Sequence, residues 1–395
     1  MKDNRQGIII WGAGLYGDIA YHYYKKNKNV LCYVDNDLTK QGKTLNGKMI
    51  YAPEEVDFRE KSVVVAFRYG AEQQAKAIYE KKIVNSVEIF QISEKHVNDF
   101  QKKEMACDNT FIVEMSGGLG NQLFQLALVK CLEACGKKVF ITIDKCFARL
   151  IRKFEVNDAF PKASFLFIDS SAEMDLLKSI YDSNANDKNY IIYKEKTNKG
   201  MIKKANTSLL EYDGGIISGM HQTSYFAEKV KDSLYKELCF RENDDKELRV
   251  IKEKIETENS VSIHFRFGDY LESQNVDKYG NICTNEYYEK AILYINNHVA
   301  NPKFYVFSND IERAKSIEYL SDAIFIEKAR FEDYEDWYDM YLMSKCKYNI
   351  IANSTFSWWG AWLNRFPDKI VIAPKKWINT YNYLDIYPEG WVEID

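Results

Sequence analysis

From residue 259 to 395, short apolar runs alternate with longer amphipathic ones, and this alternation constrains the fold more than any other feature of the chain. SVSIHF, KFYVFSND, AIFIE, YNIIAN and KIVIAP read as strands. Between them NEYYEKAILYINNHV, IERAKSIEYLS, EDWYDMYLMSKC and TFSWWGAWLNRF repeat their apolar residues at helical spacing. Strands joined by helix-length segments need crossover connections, so the expected product is a parallel sheet covered by helices. Such sheets hold ligands at the carboxyl ends of their strands.

Three of those ends are polar. The first carries His264, Arg266 and Asp269, the second Ser308, Asn309 and Asp310, and the third runs from Asn353 through Ser354, Thr355 and Phe356 to Ser357. A guanidinium is a planar, permanently charged fork of donors, and Arg266 there suits a diphosphate or a sugar carboxylate. The plain alternative is an edge strand on which Arg266 pairs with Asp269. The hydroxyls and N–H groups of 354–357 open a helix, where they can bind phosphate or simply cap. Asp339 lies in the otherwise apolar run WYDMYLM, and a carboxylate facing a cleft from there can accept from the N1–H and N2–H of guanine. Trp358, Trp359 and Trp362 form a helical stripe that reads as core rather than as a sugar platform.

A second unit begins at TFIVEM, 110–115, followed by a Ser116–Gln122 turn with three glycines, a helix LFQLALVKCLEAC and a strand VFITID. The glycines bring backbone N–H groups close to whatever lies above the sheet, and Asn121 and Gln122 add neutral donors and acceptors. The Lys-Ser/Thr pair of a Walker motif is absent. Residues 182–206 are rich in Asn, Asp and Lys and read as exposed loops. After the short strand GGIIS come His221 and Gln222, with His221 either facing the cleft or holding a structural hydrogen bond. The stretch 224–258 reads as helical and carries the crossover. Two Rossmann-type halves, 110–258 and 259–395, place the active site between them.

The N-terminal 100 residues form a further Rossmann-like unit. GIIIW, then Gly12, Gly14 and Gly17 at the start of a helix, then VLCYVD ending on Asp35, make a G-x-G-x-x-G in the strand–turn–helix setting of a nucleotide site. Only the strands SVVVAF and VEIF follow, which is short of a full dinucleotide fold. The glycines therefore serve either an accessory nucleotide site or close packing, in a module similar to those preceding some bacterial sugar-modifying enzymes. The polar run 101–109 is the expected linker.

Composition narrows the function. The 395 residues are 46% hydrophobic, ample for real cores, and 54 basic against 58 acidic residues give a net charge of −4. That balance argues against a nucleic-acid partner or a general affinity for anionic membrane. No apolar run reaches the roughly 20 residues of a transmembrane helix, and the first residues lack a signal peptide's apolar core, so the cytoplasm is the expected compartment. The eight cysteines show no paired metal spacing and read as reduced thiols. With no H-E-x-x-H, D-x-D or His/Cys cluster, no metal site is expected.

Taken together, GGLGNQLFQLA at 117–127, HFRFGDY at 264–270, SND at 308–310 and DMYLMSKCKYNIIANSTFSWWGAWLN at 339–364 resemble the bacterial α-1,2-fucosyltransferases of glycosyltransferase family 11. The resemblance spans about 110–395, with four separated motifs in the family's order. It implies a GT-B pair of Rossmann-like domains, an acceptor-side 110–258 and a GDP-sugar-binding 259–395. It also implies a GDP-β-L-fucose donor, no required cofactor, and metal-independent inverting transfer to O2 of a galactose in a surface glycan such as O-antigen or capsule. The acceptor would be an oligosaccharide, lipid-linked in one version, with at most peripheral membrane contact at the inner face of the cytoplasmic membrane. By the same resemblance Arg266 holds the diphosphate, and His264 and Asp339 contact guanosine. Asn309, Asp310 and 354–357 line the donor site, Asn121 lies near the reacting centre, and Gln122, His221 and Gln222 face the acceptor. Asp269 is the general base or the group that orients Arg266. The chain departs from the family where Phe267 replaces a second arginine and where His221, rather than an aromatic, precedes Gln222. A transferase for another nucleotide sugar, a nicotinamide-dependent sugar enzyme working from the N-terminal loop, and a catalytically silent glycan- or nucleotide-binding protein stand as alternatives.

Overall fold

The computed structural model describes residues 7–38, 40–66, 75, 76, 78, 84, 86–90, 110–143, 154–168, 190–242, 245–268, 275–331 and 334–395. Asp269, the linker 101–109 and residues 182–189 lie outside them.

Three parallel-type sheets follow one another. The first contains β1 (Gly7–Trp11), β2 (Asn29–Val34), β3 (Thr44–Leu45), β4 (Lys48–Tyr51), β5 (Ser62–Val65) and β6 (Ser86–Ile89), in the order β3-β4-β2-β1-β5-β6. The β3–β4 hairpin adds to the strands expected from sequence. Its signal was present: Asn46 and Gly47 have φ of 53° and 69°, as a two-residue Asn-Gly hairpin turn requires.

The second sheet contains β7 (Thr110–Glu114), β8 (Lys138–Thr142), β9 (Leu166–Ile168), β10 (Tyr190–Lys194) and β12 (Gly214–Ser218), in the order β10-β12-β7-β8-β9. β10 and β11 (Ile202–Lys203) fall in the segment expected to be loop. β10 is an edge strand with Ile192 and Lys194 exposed, so its alternation is masked by polar neighbours.

The third sheet contains β13 (Ser260–Phe265), β14 (Lys303–Ser308), β15 (Ile324–Phe325), β16 (Tyr348–Ile350), β17 (Val371–Pro374) and β19 (Val392–Ile394), in the order β15-β14-β13-β16-β17-β19. β11 pairs in parallel with β18 (Asn382–Tyr383) as a separate two-stranded ribbon, which ties residues 382–383 back to the second half. Sheets two and three are the two Rossmann-like halves of a GT-B architecture, and sheet one is the extra N-terminal module.

Period-two patterning sorts β13. Val261, Ile263 and Phe265 enter a core with Tyr287, Tyr288 and Ile295 of the helix Asn285–His298. Ser260, Ser262 and His264 face the other way, and the Ser262 hydroxyl accepts from Asn349 Nδ2 at 2.7 Å.

A single core joins the two halves, because the helix Leu119–Ala134 packs on the helix Thr355–Leu363. Trp358 and Trp359 are wholly buried there, with ring centroids 4.5 and 5.2 Å from Phe124. The tryptophan stripe is core, as its spacing predicted.

The N-terminal module covers the opposite face of the second sheet: Ile112, Phe140 and Ile216 share a core with Ile8, Ile10, Ala20 and Tyr33. At its edge Asp18, 2% exposed, takes the Lys138 ammonium and accepts from Asn46 Nδ2 at 2.7 Å. Burial works to raise the Asp18 carboxyl, but Lys138, His22 and Asn46 hold it well below the usual carboxylate range. A depressed carboxyl contributes stability above its unfolded value, and that contribution is lost as pH falls below the ordinary range of about 4. Lys138→Met leaves the buried carboxylate without its cation. We expect a loss of about 3 kcal/mol, read as a lower melting temperature at pH 7, with the difference from wild type shrinking toward pH 3.

Candidate active site

β13 and β16 are neighbours in a parallel sheet, so Arg266 and the start of the helix Thr355–Leu363 emerge side by side at one sheet edge. Ser354 precedes that helix with no side-chain cap, so the Ser354 hydroxyl does not satisfy its first N–H groups, which form the positive end of the dipole. Thr355 and Phe356 are partly exposed, and the His264 ring lies 6.1 Å from that of Phe356. His264 is 5% exposed, and burial, aided by the Arg266 charge, pushes its imidazole down to about 3. It is therefore neutral at pH 7, with Nδ1 buried and lacking a hydrogen-bond partner among the described residues.

Asp339 comes from the first turn of the helix Trp337–Lys345 and is 9% exposed. Burial raises its carboxyl to about 7, opposed by Lys328 and by a hydrogen bond from Tyr334. Its Oδ1 is buried with no partner among the described residues.

The facing half supplies the turns after β7 and β12. Gly117, at φ 80°, lies under the Asn121 side chain. Asn121 Oδ1 accepts from Gln222 Nε2 at 2.8 Å, and Gln222 Oε1 accepts from Trp377 Nε1 at 3.0 Å and from Tyr383 OH at 3.2 Å. Gly120 touches the Thr355–Phe356 backbone, so the two glycine- and serine-bearing helix starts meet directly.

Several residues expected at the ligand surface have other work. Gln122 is fully buried, its amide donating to Gly117 O at 2.8 Å and accepting from Glu155 N at 2.8 Å, so it clasps the turn. Gln222 has its amide taken up by Asn121, Trp377 and Tyr383 and acts as a strut. Ser357 is 0% exposed and its hydroxyl donates to the Ala352 and Ser354 carbonyls. Asn309 Oδ1 accepts from Phe267 N at 2.8 Å and so braces the Phe267–Gly268 turn. Asp310 caps the short helix Ile311–Lys315 through Arg313 N at 3.2 Å.

His221 sits at φ 48° and is 5% exposed, and burial brings its ring down to about 4. Its place is fixed by Glu195, whose Oε2 accepts from Met220 N and His221 N at 2.8 and 3.1 Å while Oε1 meets Lys203 Nζ at 2.6 Å. Burial works to raise Glu195, but the neighbouring positive charge and the His221 N–H leave it below the ordinary carboxylate range. In the N-terminal module, Asp35 Oδ2 accepts from Ala13 N at 2.7 Å and from Lys40 Nζ at 3.2 Å, folding the acid onto its own loop. A Cβ on Gly17 would lie 1.9 Å from Gly12 O. Both features are those of glycines used for packing; Gly12, at φ 113°, and Gly14 complete that turn.

Glu195, Lys203, Gln125 and Glu155 were not singled out from sequence. Gln125, 0% exposed, binds Ser116 N at 3.0 Å and Gly219 O at 2.7 Å, joining the two turns. A glutamine within an apolar helix was its only signal. Glu155 Oε2 accepts from Leu119 N at 2.9 Å and fills the anion place at that helix start. A cleft of about 550 Å³ lined by Arg249, Lys252 and Lys345 also opens, apart from these strand ends.

Residues 80–395 match the family model Glycosyl transferase family 11, and residues 4–98 match C2185-like, N-terminal. The O-antigen biosynthesis glycosyltransferase WbnK of Escherichia coli is 32% identical over 305 residues, 71% of this chain and 99% of its own. An alpha-1,2-colitosyltransferase of Escherichia coli is 33% identical over 299 residues, 72% of this chain and 98% of its own. Among solved structures, fucosyltransferase NodZ from Bradyrhizobium aligns at 13% identity and a TM-score of 0.37, over 64% of this chain and 91% of that one. With a family model covering 316 of its 395 residues (80–395), the chain belongs to glycosyl transferase family 11.

Proposed function

We propose that the chain transfers L-fucose from GDP-β-L-fucose, with inversion and without a metal, to O2 of a galactose residue in a bacterial surface glycan. The observation that carries this reading is the uncapped helix start at Ser354–Thr355 beside Arg266. As the bond from C1 to the diphosphate breaks, charge grows on the β-phosphate, and the guanidinium and helix N–H groups stabilise it. The acceptor hydroxyl attacks C1 from the opposite side, along the edge formed by Asn121. Asp269, three residues beyond Arg266, is the carboxylate proposed to take its proton. The colitosyltransferase at 33% identity supports a second reading, in which colitose replaces fucose on the same nucleotide.

Asp339 is proposed to read guanine. Its carboxyl is raised to about 7, so the apo protein holds it neutral below that pH and ionised above. A carboxylate accepts both guanine donors, whereas the neutral acid would present a third donor. GDP affinity should therefore rise roughly tenfold from pH 6 to pH 8, UDP affinity should stay flat, and Asp339→Asn should abolish the slope. Calorimetric titration reads all three, and a pH-independent GDP affinity would remove Asp339 from the guanine site. The function itself is tested by GDP release from GDP-L-fucose and a panel of other GDP- and UDP-sugars, with and without a β-galactoside and with a chelator present. Release that needs the galactoside and survives chelation is expected with GDP-fucose. Preference for a UDP-sugar would overturn the reading.

A further inference from the structure

The β11–β18 ribbon has two unlike faces. Lys203 and Tyr383, paired in register, turn inward, with Lys203 Nζ 5.2 Å from both the Tyr381 and Tyr383 rings and 2.6 Å from Glu195. By alternation Ile202, Lys204 and Leu384 turn outward. Ile202 and Leu384 are 62% and 69% exposed, and Met201 beside them is 36% exposed. Lys196, Lys199 and Lys204 are exposed around them, and none has a carboxylate within ion-pair distance among the described residues. Of the acids beside these strands in sequence, Glu195 is held by Lys203, and Asp385 accepts from Ala205 N at 2.7 Å. Large apolar side chains ringed by unopposed lysines are a costly surface to leave in water, and the combination matches one kind of partner.

We infer that this ribbon docks on an anionic lipid bilayer, the lysines meeting headgroup phosphates and Ile202 and Leu384 entering the boundary between headgroups and acyl chains. Among the described residues no helix is long and apolar enough to cross a membrane, so the attachment is peripheral. Its place explains its use. Lys203, on the inner side of the same ribbon, holds the Glu195 that fixes the Met220–His221 turn, so docking sets the acceptor rim of the cleft against the lipid surface. The inference does not depend on which sugar nucleotide is the donor.

Co-sedimentation of the full chain with phosphatidylcholine vesicles, with and without about one-third phosphatidylglycerol, tests it. Wild type should pellet with the anionic vesicles only, and less so at high salt. Replacing Lys196, Lys199 and Lys204 together by glutamine should lower binding by roughly tenfold or more, and Ile202→Ser with Leu384→Ser should do the same at every salt concentration. An unchanged melting temperature shows that each variant is folded, and single Leu384→Ser serves if the double variant is not. Failure of wild type to pellet, equal pelleting by the variants, or release by millimolar inorganic phosphate, which would mark a soluble-phosphate site, each overturns the proposal.

Discussion

Arg266→Ala is expected to lower acceptor-dependent GDP release by about two to three orders of magnitude while leaving the melting temperature within a few degrees of wild type. The size follows from the position. The guanidinium is the permanent cation at the end of β13, beside a helix start whose N–H groups no side chain caps. Loss of one preorganised donor to a developing anion costs about 3–4 kcal/mol of barrier. The fold should tolerate the change because β13 is anchored upstream, by Val261, Ile263 and Phe265 in the core and by its pairing with β14 and β16. Lysine should restore little, since a point charge cannot reproduce a planar fork. The defect should be larger in kcat than in KM, because the bound diphosphate is already anionic and the additional charge on its β-phosphate develops only as the bond to C1 breaks. Near-normal transfer by Arg266→Ala would move the diphosphate elsewhere and with it the whole donor assignment.

The sequence made the two Rossmann-type halves legible because each strand of the parallel sheets is an apolar run flanked by helix-period segments. The polar strand ends were equally visible. What those polar groups do was not, since the answer depends on partners far away in the chain. Gln122 and Gln222 look alike beside their glycines, yet one is closed over by Glu155 and the other by Trp377 and Tyr383, 33, 155 and 161 residues distant. Ser357 and Thr355 belong to one helix start, but only helical phase decides that Ser357 turns inward. The Glu195–Lys203 pair lay in a segment read as loop, where neither residue has a periodic context. The Asn46–Gly47 hairpin differs from these cases, because its turn chemistry was local and could have been read.

The glycine-rich turn at 117–120 offers the second large effect, and it separates two roles that sequence leaves equivalent. If Gly120 exists so that phosphate can approach the backbone, alanine there should weaken GDP binding and spare stability. The structure points to packing. A Cβ on Gly120 would stand 2.5 Å from Thr355 C and 2.7 Å from Phe356 N and Thr355 O, all backbone atoms with no flexible end to swing aside. The anion place at the start of its own helix is already filled by the Glu155 carboxylate, bonded to Leu119 N at 2.9 Å. Gly120→Ala must therefore force the helices Leu119–Ala134 and Thr355–Leu363 apart, straining the Phe124–Trp358–Trp359 contact that joins the two halves. Overpacking of this kind costs about 1–3 kcal/mol, so the melting temperature should fall by roughly 1–4 °C in a chain of this size. Transfer should also fall, because the displaced helix is the one whose N–H groups are proposed to face the donor. Thermal melts and GDP titration on the same preparation distinguish the roles: a lower melting temperature together with weaker GDP binding assigns Gly120 to the interdomain contact, and weaker binding at an unchanged melting temperature would assign it to the phosphate.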